Sequence, residues 1–285
     1  MAKKTSFFVI NIKLQNNQTQ EERTLRYREL ISRLSRDRKI LEIKNRNTAV
    51  IMYSSYGDDS SPYIYGQVAK GVHIPGEEID VIKDGGQSKE SNDPKSIKLP
   101  NSARYIFVPA AHRLCIEKVT KGPGPFEVEK FIKEFLIKYL TEGEILEVIL
   151  EKDEKTIDQI FDAKVVYEVS YKISYTNEDI GTEMDTLFDQ ELKNSNIGQI
   201  EIKAKADNKN EGLKVEGTPI LEGGLKIAKS NGQVSRAVII PIGKTKRKTI
   251  SNDSKPKLIN VEEDDSLPFW MIWYKKIMET YRQNV

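Results

Sequence analysis

Apolar positions along this chain recur with two different periods, and the change from one to the other marks out the elements. Phe7-Phe8-Val9-Ile10 followed by Ile12 predicts an opening strand over about 5–13. From about 20 to 36 the period becomes helical: Tyr27, Leu30, Ile31 and Leu34 form an apolar stripe, and Arg26, Glu29, Arg33 and Arg36 fall together on another face. β-rich segments at about 39–45, 48–56 and 63–72 then predict a meander. Residues 83–102, with Gly85-Gly86, Asp93-Pro94, Pro100 and few large apolar side chains, read as a mobile loop.

Tyr105 to Val108 and Leu114 to Val119 read as a hairpin turning at Pro109 and His112. Pro125 suits a first helical turn, where its missing N–H is harmless, and Phe131, Ile132, Phe135, Leu136 and Tyr139 continue at helical spacing as a core stripe. Strands follow near 144–151, 163–176, 198–206 and 233–242, with a helix near 180–194. A short helix at 218–230 is weakened by Gly223-Gly224. Strands and helices alternate without the βαβ rhythm of a doubly wound sheet, so the expected class is α+β, with mixed or antiparallel sheets and a few packed helices. Two domains are expected, a strand–helix–meander domain over 1–120 and a second α+β domain over 121–285 that carries the basic strand and hairpin.

The chain closes on an amphipathic helix, with Ser266 as its expected N-cap and Pro268 near its start. Trp270, Trp273, Tyr274, Ile277, Met278 and Tyr281 make one aromatic stripe along it. Docking into the protein's own core and forming a homodimer or partner interface both bury such a face. Trp270, Trp273, Tyr274 and Ile277 are therefore the candidate interface residues.

Charge changes the picture only locally. The 285 residues hold 45 basic and 43 acidic side chains, a formal net charge of +2, so electrostatic steering must come from segregation along the chain. Six of the twelve arginines lie between positions 23 and 38. That cluster is either a solvated face or an anion-binding face carrying Arg26, Arg33 and Arg36. Lys244, Lys246, Arg247, Lys248, Lys255 and Lys257 set six cations against Asp253 within fourteen residues, across an expected hairpin whose alternation puts Lys244, Lys246 and Lys248 on one side. Lys203 and Lys205, two apart, present one cationic strand face. Such rows either keep an edge strand from pairing or track a phosphate backbone by displacing counterions.

Chemistry beyond binding is sparse. Two histidines are too few for the usual histidine-ligated metal site, and His112 with Cys115 reads as a buried structural pair rather than a nucleophile and base. Gly122-Pro123-Gly124-Pro125 has neither P-loop nor dinucleotide spacing and reads as a turn. Carboxylates such as Glu77, Glu78, Asp80, Asp153 and Glu154 keep a metal-dependent nuclease as an alternative. No catalytic residue, metal set or cofactor site is assigned. A single cysteine suits a reducing compartment, which predicts a cytoplasmic protein. Asn11 and Lys13 interrupt the first apolar run, so no leader is expected there, and no stretch is long enough for direct membrane insertion.

The order of features resembles that of the RexA-like phage-exclusion family, the A component of the lambda Rex system. Phe107-Val108, Ile116, Gly122-Pro123 and a helix ending Phe135-Leu136 follow that family's order, and Ile202-Lys203-Ala204-Lys205-Ala206-Asp207 resembles its strand of apolar, basic, Ala, Lys, Asp pattern, with Ala206 as an extra residue. The resemblance implies a homodimeric, sequence-independent double-stranded DNA-binding protein without a known enzymatic site. Lys203 and Lys205 match the family's DNA-contacting cations. It also implies a phage-defence role in abortive infection, as an infection sensor that signals to a membrane-embedded effector. The rival expectations are the nuclease and a protein-interaction module working through the C-terminal aromatic helix.

Overall fold

The computed structural model describes residues 3–15, 19–37, 39–43, 48–57, 60–73, 81–83, 86–88, 97–174, 194–195, 197–208, 210–264 and 266–281. The chain divides into two compact units, one built from 1–150 with 259–281 and the other from 151–258. Both are α+β, as the pattern predicts.

The first unit is an eight-stranded sheet. Its strands are β1 (Lys3–Gln15), β2 (Ile40–Ile43), β3 (Thr48–Tyr56), β4 (Ile64–His73), β7 (Ile97–Val108), β8 (Arg113–Glu117), β9 (Ile145–Leu150) and β14 (Leu258–Glu263), while β5 (Val81–Lys83) and β6 (Gly86–Ser88) form a separate hairpin. The order is β14-β1-β8-β7-β4-β3-β2, and β9 also pairs with β1, antiparallel, through Ile10 to Gln15. Period-two alternation sorts β1 between two cores. Phe8, Ile10, Ile12 and Leu14 pack with α1 (Gln20–Arg36) and α2 (Pro125–Leu136). Phe7 and Val9 point the other way, into a core shared with α5 (Phe269–Tyr281). A strand covered on both faces needs a near-continuous apolar run, which is what the opening sequence supplies.

Local sequence sets the helix starts. Thr19 and Glu22 form a reciprocal capping box at α1: the Thr19 N–H donates to Glu22 Oε2 at 2.8 Å and the Glu22 N–H to Thr19 Oγ1 at 3.3 Å. The predicted stripe of Tyr27, Leu30, Ile31 and Leu34 is fully buried. At α2 the Gly124 N–H donates to Glu127 Oε2, and the same carboxylate pairs with Lys70 at 2.7 Å. His112 adopts a left-handed conformation with φ 53 at the β7–β8 turn, and burial together with Arg113, Arg23 and Lys13 pushes its imidazole down to about 4. Cys115 is buried in β8.

The second unit has two layers. Its antiparallel sheet runs β11-β10-β12-β13, from β10 (Ala163–Ser174), β11 (Gln199–Lys205), β12 (Gly232–Pro241) and β13 (Lys248–Ile250). Val169, Tyr171, Ile173, Val234, Ala237 and Ile239 face α3 (Lys155–Phe161) and α4 (Pro219–Asn231). Gly224 lies where α4 meets the sheet, since a Cβ there would come within 2.1 Å of the Tyr171 hydroxyl. The glycine that weakens the helix in sequence is what lets the helix pack.

Several expectations are corrected. The boundary falls at 150/151 rather than 120/121, because α2 fills the first core and β9 pairs with β1, and the C-terminal helix returns to the first unit. Residues 83, 86–88 and 97–102 of the expected loop are strand; positions 84–85 and 89–96 lie outside the described residues, as does most of the helix expected at 180–194. The final helix begins at Phe269, so Ser266 lies upstream of the cap position, and its N–H donates to Asp264. Among the described residues no helix is long and apolar enough to cross a membrane.

Candidate functional site

β11 alternates without interruption: Gln199, Glu201, Lys203 and Lys205 are exposed, while Ile200, Ile202 and Ala204 turn toward the core. Register then builds a surface around the two lysines. Ser170 of β10 stands opposite Lys203 on one side and Arg236 of β12 on the other, so Lys203, Ser170 and Arg236 form one row across three strands. Two strand spacings of about 4.8 Å put the two cations roughly 10 Å apart at the backbone. In the next row Glu168 stands opposite Lys205, and in the row before it Lys172 stands opposite Glu201.

Glu168 holds this surface together. Its carboxylate lies 3.9 Å from Lys203 Nζ and 3.6 Å from Arg236 Nε, and both cations remain more than half exposed. Neither pair is within hydrogen-bond distance and both cations are solvated, so Lys203 and Arg236 can reach an incoming anion, while Glu168, at 16% exposure, stays beneath them. Lys172, Lys203, Lys205 and Arg236 outnumber Glu168 and Glu201 on this face, which leaves it cationic. Lys172 and Arg236 were missed in the sequence. The signal for Arg236 was present, since Ala237 and Ile239 point inward and the residue before them must point out, but the irregularity between Ser170 and Tyr171 breaks strict alternation on β12.

The basic hairpin differs from its expectation. Lys244, Lys246 and Arg247 lie in the connection between β12 and β13 rather than alternating on a ribbon, with Gly243 at φ +72 and the Lys244 N–H donating to Pro241 O at 3.0 Å. All are exposed. Arg247 folds back so that its guanidinium sits 4.0 Å from the centre of the Tyr167 ring, and the Tyr167 carbonyl accepts the Ala206 N–H, next to Lys205. The fold thus places Arg247 against β10, the strand paired with the one that carries Lys203 and Lys205. Lys248 diverges: it pairs in register with the inward Ile239 and reaches Gln159 of α3 at 3.5 Å.

The arginine helix is corrected further. Arg26 is committed inside the first unit, donating through Nε and Nη2 to Glu144 at 2.8 Å each, through Nη1 to Glu29 at 2.6 Å and through Nη2 to the Tyr139 carbonyl at 2.6 Å. Those bonds hold the Glu144 carboxyl down at about 2, against the effect of burial. Arg33 pairs with Glu29 at 2.7 Å and lies over Tyr139, and Arg36 is exposed. Arg38 lies outside the described residues. Only Arg33 and Arg36 of the three candidates keep solvent access suited to an anion.

The C-terminal stripe packs inward. Trp273 and Ile277 are fully buried against Phe7, Val9, Ile106 and Val108. The Trp273 Nε1–H donates to Glu263 at 2.8 Å, and Glu263 in turn accepts from Arg104, which also bridges to Glu117. Trp270 stacks on Tyr65 with ring centroids 4.2 Å apart, and Tyr274 lies 5.2 Å from Tyr63. These four side chains are contacts within the first unit, so the interface expectation for Trp273 and Ile277 is replaced by a core role.

Among the described residues, no three His, Cys, Asp or Glu side chains gather as a metal ion requires. The molecule is thus an α+β protein whose second unit presents a cationic sheet face flanked by a basic loop. Residues 3–268 match the family described as a domain of unknown function (DUF4747), and the chain belongs to that family. No curated protein matches the sequence.

Proposed function

We propose that this protein binds double-stranded DNA through its phosphates, without choosing among sequences, and that it acts in the cytoplasm as a sensor or regulator in phage defence. The observation that supports this most is the row Lys203–Ser170–Arg236, with Lys205 beside it and Arg247 stacked on Tyr167 of β10. Lysine and arginine side chains on a strand face, with Lys203 and Arg236 more than half exposed and 3.9 and 3.6 Å from Glu168, suit contacts that neutralise phosphate and release counterions. Such contacts position a duplex without reading base edges. The phage-defence setting, the homodimer and the membrane-embedded effector come from the RexA-like resemblance.

Gel shifts on two unrelated duplexes of equal length test the reading. Equal affinities that fall together with added salt are expected. A strong preference for one duplex means base readout, and binding of RNA or single strands alone removes the duplex claim. Plasmid incubated with Mg²⁺ or Mn²⁺ is expected to stay intact, and cleavage abolished by substituting a carboxylate would favour the nuclease.

A further inference from the structure

A groove of about 770 Å³ runs along α5 where the helix passes the end of the large sheet. One wall is β14, the last strand in the hydrogen-bonded order, so among the described residues its outer backbone edge has no strand beside it. An edge of this kind is a template for another extended chain, with backbone hydrogen bonds supplying affinity and alternate side chains supplying specificity.

Alternation divides the chemistry of the edge. Ile259 and Val261 turn into the core beneath α5, while Asn260 and Glu262 are exposed. Along the groove Leu267 and Met271 are about half exposed, at 51% and 47%, beside Ile272. The charged groups divide along the groove: Lys275, Lys276 and Glu279 stand on α5, while Glu262 and Asp264 make the β14 end acidic. Lys4 lies 3.9 Å from Glu262 and Lys276 4.0 Å from Glu279, pairs long and solvated enough to give way to other cations. β14 itself carries two glutamates and no lysine or arginine, so pairing with a second copy of the same strand supplies no cation to match them.

We infer that this edge and groove take an extended segment of a partner protein as an added strand along β14, with aliphatic side chains against Leu267, Met271 and Ile272 and lysine or arginine at the intervening positions against Glu262 and Asp264. The surface belongs to the first unit and is independent of the cationic face of the second.

The test uses the full-length protein and fluorescence anisotropy with a short labelled peptide alternating valine and lysine. Saturable binding is expected, weakened about tenfold or more, some 1.4 kcal/mol, by Glu262→Lys and by Met271→Asp, both at exposed positions that leave the fold intact. The same peptide N-methylated at alternate amides, and one alternating valine and glutamate, should fail to bind. Equal binding of the glutamate or N-methylated peptide, affinity unmoved by both substitutions, or no binding of the lysine peptide would each overturn the inference. So would a wild-type dimer, seen by light scattering, that Met271→Asp converts to monomer, because the groove would then belong to a second copy.

Discussion

Replacing Arg26 with methionine separates a structural arginine from an anion-binding one. The substitution keeps the length and apolar stem of the side chain but removes the bonds to Glu144, Glu29 and the Tyr139 carbonyl. Glu144, whose side chain is 4% exposed, keeps the Thr141 N–H at 2.8 Å but loses its counter-ion. Arg26 is the leading cause of the fall in the Glu144 pKa from 4.5 to about 2. At about 1.4 kcal/mol for each tenfold change in proton affinity, that fall corresponds to roughly 3 kcal/mol favouring the folded, ionised carboxyl. Removing one partner of a buried pair costs about 3–5 kcal/mol, so both routes give a similar loss. The sign follows from a depressed acid: the stabilisation is complete above pH 4.5 and disappears as pH falls toward 2. Urea unfolding of wild type and Arg26→Met at pH 7, 4 and 2.5 should show a gap of about 3 kcal/mol at pH 7 that narrows through the acid range, while duplex affinity at pH 7 stays the same. A variant as stable as wild type but weaker on DNA would refute the reasoning and return Arg26 to the binding surface.

Three further substitutions probe separate parts of the structure. Trp273→Asp removes a fully buried indole and sets a carboxylate beside Glu263, and should cost more than the 3–5 kcal/mol of a tryptophan-to-alanine change, giving unfolded or insoluble protein; a well-folded monomer would instead make the helix an interface. Gly224→Ala gains about 1 kcal/mol of helix propensity but drives a methyl into the buried Tyr171 ring, an overpacking cost of about 1–3 kcal/mol, so thermal melting should show a net loss; a raised melting temperature contradicts the close approach. Glu168→Gln removes the carboxylate that competes for Lys203 and Arg236 and should tighten duplex binding by up to about 1 kcal/mol; unchanged affinity puts Glu168 away from the DNA.

Much of the fold was legible because its strongest signals are local. The stripe of α1, the apolar run of β1 and the alternation of β11 each specify an element before any tertiary contact forms. α3 and β14 escaped because six or seven residues hold too few periods to stand out from loops. The role of Arg26 was hidden because its partner Glu144 lies 118 residues away, and nothing in the spacing of a basic helix face shows which arginine turns back onto the protein. Lys203 and Lys205 were found from their own strand. Arg236 required the register of β12 against β10, and Lys248 required knowing which side α3 covers. The domain boundary failed for a related reason, since β9 and α5 join the first core only through pairing and packing at long range.

The most direct test of the cationic face is the salt dependence of duplex binding by wild type and by the double substitution Lys203→Glu with Lys205→Glu. For wild type, log K should fall linearly with log salt concentration, with a slope of about −0.9 for each phosphate neutralised. The double variant should lose binding at salt concentrations where wild type still binds, while its melting temperature stays close to that of wild type, because surface substitutions usually change stability by about 0.5 kcal/mol or less. Wild-type affinity and slope in a folded double variant would contradict the account.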